Sequence, residues 1–362
     1  MPTHKEREPV VRAKPNTPFE IGDLEIMPGN HASLELEVAR LYTQSPLSVT
    51  AEIFHGKQAG PVLLVNAAIH GDELNGVEVV RQIIGRIRLS QLRGTLIAIP
   101  VVNVFGFIHK SRYLPDRRDL NRSFPGSERG SIAGRMAFRY FKDVVERCTH
   151  VVDLHTGAIN RTNLPQIRAN LSNPDAAGMA EAFGAPVLID AALRDGSLRS
   201  EAEKAGIPVI TYEAGEALRL EQFAVAAGVK GVKRVMRHLG MLRSSRIKPA
   251  AGCVLARATR WVRADSDGLL RSHVSLGQRV SRGQVLANIS DPSGRAEIQV
   301  IAPQGGIVIG QQTLPLVNEG DAIFHIAFFE EPDRLVAQQV ESYLDDVMDD
   351  PANELKWGIG KA

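Results

Sequence analysis

The sequence is poor in cysteine and nearly balanced in charge, and each of these features excludes a class of protein. Its two cysteines, Cys148 and Cys253, stand far apart and form no Cys-x-x-Cys pair. A disulfide scaffold and a thiolate zinc cluster are therefore not expected. With 43 basic and 41 acidic residues the net charge is +2, so no bulk field recruits nucleic acid or an acidic membrane surface.

Long hydrophobic runs are also missing. No stretch approaches the roughly 18 consecutive apolar residues that a membrane-spanning helix needs. The first thirty residues carry charges and prolines throughout and lack the apolar core of a secretory signal. We therefore expect a cytoplasmic protein with neither a membrane nor a nucleic-acid partner.

Apolar runs of strand length alternate with helical patterns over much of the chain. Continuous apolar runs of this kind are typical of buried strands, and their alternation with helices indicates an α/β domain with a largely parallel or mixed sheet. The predicted strands lie within 33–54 and at 61–69, 95–102, 151–154, 185–189 and 208–212. The predicted helices lie at 73–89, 131–147, 174–183, 197–205 and 221–239.

The pattern changes after the basic segment 243–248 and Pro249. From 252 to 328 short apolar segments are punctuated by glycine, which indicates a small all-β module. The predicted organisation is a leader with strands that pack on the main domain over 1–48, an α/β domain over 49–245, an all-β domain over 250–330 and an acidic C-terminal tail over 331–362.

Two histidines follow predicted buried strands. In His70-Gly-Asp-Glu73 a histidine and a glutamate stand three residues apart across a turn, and His155 ends the run that begins at Val151. The carboxyl ends of neighbouring strands meet at one edge of an α/β sheet, and two histidines with a glutamate are a known catalytic zinc set. A lone histidine at a strand end is more commonly a core or surface residue, so the pattern alone leaves the metal site open.

Four motifs in a fixed order add a resemblance. His-Gly-Asp-Glu at 70–73, Asp-Leu-Asn-Arg-Ser-Phe-Pro-Gly at 119–126, Asp-Leu-His-Thr-Gly at 153–157 and Tyr-Glu-Ala-Gly-Glu at 212–216 resemble those of the succinylglutamate desuccinylase/aspartoacylase family. The resemblance covers roughly residues 50–240. It implies a zinc-carboxypeptidase-like α/β domain with a mixed, mostly parallel sheet flanked by helices. It also implies one zinc ion per chain, held by His70, Glu73 and His155.

The resemblance implies further roles near the metal. Glu213 follows a predicted strand to the same sheet edge and matches the general base of the family, whereas Glu216 is expected to be a salt-bridged surface residue. Asp153 is expected to support His155.

Several basic and amide side chains are candidates for binding substrate. Asn121 and Arg122 match a family pair that binds substrate, and an upstream arginine, Arg112, is expected to polarise the scissile carbonyl. Arginine can grip a carboxylate with two parallel hydrogen bonds. Arg199 is a further candidate substrate contact, and Arg117 and Arg118 are rivals of Arg112 for its place.

The all-β module resembles a biotinyl or lipoyl carrier barrel. Such a carrier needs a lysine on its hairpin, and no lysine occurs from 249 to 332. We therefore expect a barrel-like domain that covers the rim of the active site, mediates oligomer contacts or stabilises the fold.

The family resemblance implies a zinc-dependent amidohydrolase that acts on amide bonds other than peptide bonds. Its expected substrate is a small N-acyl amino acid or a related N-acylated amine. Two alternatives stay open: carboxypeptidase-like trimming of small peptides, and a non-catalytic zinc- or ligand-binding protein on the same scaffold. Assembly into a homo-oligomer also stays open.

Overall fold

The computed structural model describes residues 14–40, 43–243, 253–330 and 333–348. The predicted boundary between the α/β and all-β domains, at 245–250, lies outside these residues, as do the first part of the leader and the end of the acidic tail. In the described part of the chain, no helix combines the length and apolarity required to cross a bilayer.

The five predicted helices are all present, with ends that differ from the predicted ones by at most four residues. The helices of the described chain are α1 (Asn75–Arg86), α2 (Val104–His109), α3 (Ile132–Asp143), α4 (Pro174–Phe183), α5 (Leu198–Lys204), α6 (Gln222–His238) and α7 (Asp333–Met348). Short 3-10 turns occupy Leu89–Gln91, Leu120–Arg122 and Val145–Arg147. The side chains of Ser131, Asn173 and Ser197 accept hydrogen bonds from the first backbone N–H groups of α3, α4 and α5, which explains where these helices begin.

The strands fall into a region before α6 and a region after it. Before α6 they are β1 (Phe19–Ile21), β2 (Leu24–Ile26), β3 (His31–Arg40), β4 (Pro46–His55), β5 (Gln58–Ala67), β6 (Arg93–Ile99), β7 (His150–Gly157), β8 (Arg161–Ala169), β9 (Val187–Asp190) and β10 (Val209–Glu216). After α6 they are β11 (Val254–Ala256), β12 (Ala258–Arg263), β13 (Gly268–Ser272), β14 (Arg279–Val280), β15 (Val285–Ser290), β16 (Glu297–Ile301), β17 (Gly306–Gln312), β18 (Leu316–Val317) and β19 (Ala322–Phe328).

One 13-stranded mixed sheet organises the described residues, and its main path runs β12-β19-β17-β8-β10-β7-β5-β6-β4-β3. Strands β10, β7, β5 and β6 are parallel neighbours at its centre. The main path is antiparallel on both sides of this centre. The predicted mixed sheet flanked by helices is confirmed, while parallel pairing is confined to the centre and to the short branch β8-β9-β11.

Alternate residues of the central strands feed two cores. Leu63 and Val65 of β5 pack in one core with α1, α4 and α6, whereas Leu64 packs in the other with α3 and α5. Both faces of the central strands are therefore buried, which is why these strands read as continuous apolar runs.

The region after α6 is joined to the main sheet by hydrogen bonds. Residues 253–330 contain strands and no helix, and β17 pairs with β8 and is followed outward by β19 and β12. A separate four-stranded sheet, β16-β15-β13-β18, packs with them around a third core. The division of the chain near residue 250 stays a prediction, because the two regions share one sheet.

The seam between β8 and β17 can be tested by cavity formation. Ile309 of β17 is fully buried in a cluster with Leu164 of β8, so Ile309→Ala should lower the free energy of unfolding by about 2–5 kcal/mol. Leu316, which is 60% exposed on β18, is the control, and Leu316→Ala should cost less than about 1 kcal/mol. Urea unfolding followed by circular dichroism measures the free energy of unfolding of both variants. Equal losses in the two variants would show that burial of Ile309 between β8 and β17 adds no stability beyond that of a surface residue.

Candidate active site

The predicted metal ligands lie at the carboxyl ends of adjacent parallel strands. His70 and Glu73 occupy the turn between β5 and α1, and His155 lies near the end of β7, which pairs with β5. Gly71 makes the turn possible, because a Cβ there would lie 2.0 Å from the backbone carbon of Gly106 in α2. The sheet therefore brings together residues that are 82 positions apart in sequence.

His70, Glu73 and His155 form a buried cluster whose candidate ligand atoms all lie within 4.8 Å of one another. Nδ1 of His70 is 2.7 Å from Oε1 of Glu73, and Nδ1 of His155 is 2.7 Å from Oε2 of the same carboxylate. Two ring nitrogens thus converge on one carboxylate, which is an arrangement that can hold a metal ion.

A second carboxylate fixes each imidazole from its other side. Nε2 of His70 donates to Asp119 Oδ1 at 3.1 Å, and Nε2 of His155 donates to Asp153 Oδ2 at 2.8 Å. Both ring nitrogens of each histidine thus face a carboxylate oxygen, so each ring is protonated on both nitrogens unless a cation takes the place of the Nδ1 proton. The predicted contact between Asp153 and His155 is present, and Asn66 donates to the other oxygen of Asp153 at 2.8 Å.

The carboxylates around the two imidazoles favour a positive charge at this cluster. Burial lowers the pKa of His155, but the carboxylates of Asp153 and Glu73 raise it by more, so its pKa lies well above the usual value. The pKa of His70 is raised by Glu73 and Asp119 in the same way, against the effect of burial. Burial raises the pKa of Glu73, and the two imidazoles outweigh it and bring this pKa far below its usual range. A buried site with these donors fits a divalent cation such as zinc.

Arg112 reaches the metal cluster through Asp119. Its Nε and Nη2 donate to Asp119 Oδ2 at 3.1 and 2.9 Å, and its Nη1 lies 3.4 Å from Glu73 Oε1. Its rivals Arg117 and Arg118 are exposed and do not line the cavity described below. The geometry therefore places Arg112, among these three, beside the candidate ligands.

Asn121 and Arg122 lie in a 3-10 turn that Asp119 caps by accepting a hydrogen bond from the Asn121 backbone at 2.8 Å. Oδ1 of Asn121 accepts from the backbone N–H of Leu198 at 2.9 Å, and Arg122 bonds the carbonyl of Asn121. Arg199 donates to the carbonyls of Ala191 and Ala192, at 2.8 Å each. Arg199 thus holds a loop at the cavity wall.

Glu213 lies on β10 directly beside His155 of β7 in the register of the parallel pair. Its Oε2 accepts a hydrogen bond from Asn163 at 3.0 Å, and Nε of Arg168 lies 3.8 Å from its Oε1. Glu216 is not the surface residue that was expected. It is buried and its Oε1 accepts a hydrogen bond from the backbone N–H of Asn160 at 3.1 Å, and the pairing of β10 with β7 is irregular between Glu213 and Glu216.

These residues line one cavity of about 630 Å³. It contains every predicted site residue: His70, Glu73, Arg112, Asn121, Arg122, His155, Arg199 and Glu213. Its wall also includes residues that sequence reasoning missed, namely Arg161, Asn163, Arg168, Arg194 and Trp261. Asp119, which bonds His70 and Arg112, is the first residue of the motif at 119–126, and this position is the sequence signal that could have revealed it. A second groove, of about 610 Å³ between β3 and α3, contains none of the predicted site residues.

The chain is similar to a curated protein and to several solved structures. A curated relative, the N-alpha-acetyl-L-2,4-diaminobutyric acid deacetylase of Halomonas elongata, is 28% identical over 281 residues, which are 74% of this chain and 82% of the relative.

Solved structures show the same fold at 24% identity. The product-bound ectoine utilization protein of Ruegeria pomeroyi has a TM-score of 0.75, covering 83% of this chain and 95% of that one. A succinylglutamate desuccinylase/aspartoacylase from Rhodobacter sphaeroides has a TM-score of 0.74, covering 83% and 96%. The model of the succinylglutamate desuccinylase/aspartoacylase catalytic domain matches residues 59–239, and the chain belongs to this family.

Proposed function

We propose that this chain is a zinc-dependent amidohydrolase that removes an acyl group from an N-acyl amino acid. The observation that carries the proposal is the placement of Glu213 beside His155, on the wall of the cavity that holds the His-Glu-His cluster. A metal site and a carboxylate base within one cavity are what hydrolysis of an amide requires. The named deacetylase activity of the Halomonas relative supports removal of an acyl group.

The proposed zinc ligands are His70, Glu73 and His155. Zinc bound there supplies Lewis acidity, which acidifies water and polarises a carbonyl. Asp119 and Asp153 keep the ring protons on Nε2 and so present both Nδ1 atoms as ligands.

Glu213 is the proposed general base. Its carboxylate accepts a proton from the attacking water and passes that proton to the leaving nitrogen when the carbon–nitrogen bond breaks. The hydrogen bond from Asn163 fixes the orientation of this carboxylate. Arg112, held by Asp119 next to Glu73, is placed to donate to the oxygen on which negative charge develops.

The charge of the cavity favours an anionic substrate. Its wall carries six arginines: Arg112, Arg122, Arg161, Arg168, Arg194 and Arg199. The acids on the same wall are Glu73 and Asp153, both bonded to His155, and Glu213. We assign carboxylate binding to Asn121 and Arg122, which lie next to Asp119.

Removing Asp119 should weaken the metal site without removing a ligand. Wild-type protein should bind about one zinc per chain, and Asp119→Ala should raise the zinc Kd about 10- to 100-fold, because the His70 ring loses its acceptor. Asp195→Ala, at a 99% exposed side chain, is the control and should leave the Kd unchanged. Competition with a chromophoric chelator measures each Kd. An unchanged Kd in Asp119→Ala would contradict the assigned role.

Replacing the base should stop turnover while zinc stays bound. Glu213→Gln keeps the shape of the side chain but removes the proton acceptor, so kcat on N-acyl amino acids should fall about 10²- to 10⁴-fold. Glu128→Gln, at an exposed glutamate outside the cavity, is the matched control. Amine release measures kcat, and metal analysis confirms equal zinc content. Wild-type turnover by Glu213→Gln would exclude Glu213 as the base.

A further inference from the structure

Asn75 joins the turn that carries Glu73 to the strand that carries Glu213. It is the first residue of α1, it is 1% exposed, and it does not line the cavity. Strands β5 and β10 do not pair with each other, because β7 lies between them. A direct bond from the turn after β5 to β10 therefore bypasses the strand in between.

The side-chain amide of Asn75 is bonded at both ends to the chain that follows Glu213. Its Nδ2 donates to the carbonyl of Ala214 at 3.2 Å, and its Oδ1 accepts from the backbone N–H of Glu221 at 2.8 Å. Ala214 follows Glu213 directly, and Asn75 is two positions after Glu73. Two hydrogen bonds thus connect the backbone beside a proposed metal ligand with the backbone beside the proposed base.

Gly215 makes the close approach of this amide possible. Its φ of +73° lies in the left-handed region, and a Cβ there would lie 2.5 Å from Nδ2 of Asn75 and 2.5 Å from Oε1 of Glu221. A side chain at position 215 would push the amide or the carboxylate away. The amide reaches Ala214 because no side chain stands at Gly215.

Glu221 closes a ring of hydrogen bonds around the same segment. Its Oε1 accepts from the backbone N–H of Glu216 at 2.7 Å, while its own backbone N–H donates to Asn75. The ring therefore runs from Asn75 through Ala214 and Glu216 to Glu221 and back to Asn75. It holds the backbone of 214–221 against the start of α1.

A backbone bond gives this segment a second attachment to the turn. The N–H of Leu218 donates to the carbonyl of Asp72 at 2.7 Å, and this bond does not involve the side chain of Asn75. Replacement of Asn75 should therefore leave the segment attached at Leu218 and release the backbone next to Glu213.

The position of a general base matters on the scale of one ångström. A base must lie within hydrogen-bond reach of its proton, and a shift of about 1 Å can cost about 100-fold in rate. The side chain of Glu213 contacts Asn163 and Arg168, which both lie on β8 and not on the turn of Glu73. The distance from Glu213 to Glu73 therefore depends on how the backbone of β10 is held, by its pairing with β7 and by the bonds of Asn75.

We propose that Asn75 is a positioning residue, which fixes the backbone beside Glu213 relative to the turn that carries Glu73. The inference rests on the proposed amidohydrolase function and extends it to a buried side chain outside the cavity. Asn75 acts through its hydrogen bonds to Ala214 and Glu221 and not by contact with the substrate.

The test compares Asn75→Ala with Gln82→Ala, which removes another amide of α1. Gln82 donates to Glu78 within the same helix at 2.9 Å and does not line the cavity, so it is the matched control. In Asn75→Ala, kcat on N-acyl amino acids should fall about 10- to 100-fold, while KM stays within about threefold and the zinc Kd within about twofold. Gln82→Ala should keep the wild-type value of all three. Amine release by zinc-loaded protein and competition with a chelator measure them.

Hydrogen–deuterium exchange gives a readout that needs no turnover. The amides of Glu216 and Glu221 are bonded within the ring, and in Asn75→Ala the Glu221 amide loses its acceptor. Peptides that cover 214–221 should therefore exchange about tenfold faster, or more, in Asn75→Ala than in wild type or Gln82→Ala.

Glu221 provides an independent pair of variants at a half-buried position. Glu221→Ala removes the acceptor of the Glu216 N–H and should lower kcat in the same direction as Asn75→Ala. Glu221→Gln keeps an acceptor oxygen there, so its kcat should stay within about twofold of wild type. This pair decides the question if Asn75→Ala does not fold.

Unchanged exchange of 214–221 in Asn75→Ala, or faster exchange with an unchanged kcat, would overturn the positioning role. A zinc Kd that rises in parallel with the loss of kcat would also overturn it, because Asn75 would then support the metal site instead. If wild-type protein hydrolyses no N-acyl amino acid, the proposed function fails by itself. Faster exchange of 214–221 in Asn75→Ala would still support the tie between the turn and β10, and unchanged exchange would overturn it.

Discussion

The carboxylate of Glu73 lies between two imidazoles, and much of the surrounding structure keeps it there. A buried carboxylate is costly unless its charge is balanced and its oxygens are bonded. His70 and His155 supply that balance, and each is oriented by a further carboxylate, Asp119 or Asp153. These acids are bonded in turn, Asp119 by Arg112 and Asp153 by Asn66. The site is therefore a chain of alternating charges that ends at the neutral amide of Asn66 and at the half-buried guanidinium of Arg112.

Local sequence pattern was sufficient to predict several of the helices and central strands. The predicted helix at 174–183 matches α4, and the apolar run at 61–69 includes most of β5. Both were found because the spacing of apolar residues reflects which faces of a helix or strand are buried. Because β5 and β7 are parallel neighbours, their carboxyl ends meet at one sheet edge, as the general rule for α/β sheets predicts. His70, Glu73 and His155 were accordingly brought together as predicted.

The cavity residues that sequence reasoning missed reach the cavity through strand pairings, and local sequence patterns do not reveal these pairings. Asn163 and Arg161 reach the cavity because β8 returns antiparallel beside β10, and Trp261 reaches it because β12, β19 and β17 add to the other edge of β8. Such registers join segments that are distant in sequence, so periodicity cannot reveal them. The same limit applies to Arg199, whose partners are backbone carbonyls of a loop, and to Glu216, whose direction depends on an irregularity in β10.

One edge of β8 pairs with two different strands, and these strands are synthesised at different times. One half of this edge pairs with β9, while the other half pairs with β17, and the buried bond from Gln166 to the Ile309 carbonyl spans 143 positions. During synthesis, β8 leaves the ribosome long before β17 has been translated. During that interval the strand that carries Arg161 and Asn163 exposes unpaired backbone groups, which are a template for pairing with another chain. The part of the cavity wall that β8 carries is thus completed only after β17 has been synthesised, and until then the nascent chain exposes an unpaired strand edge beside the proposed catalytic cavity.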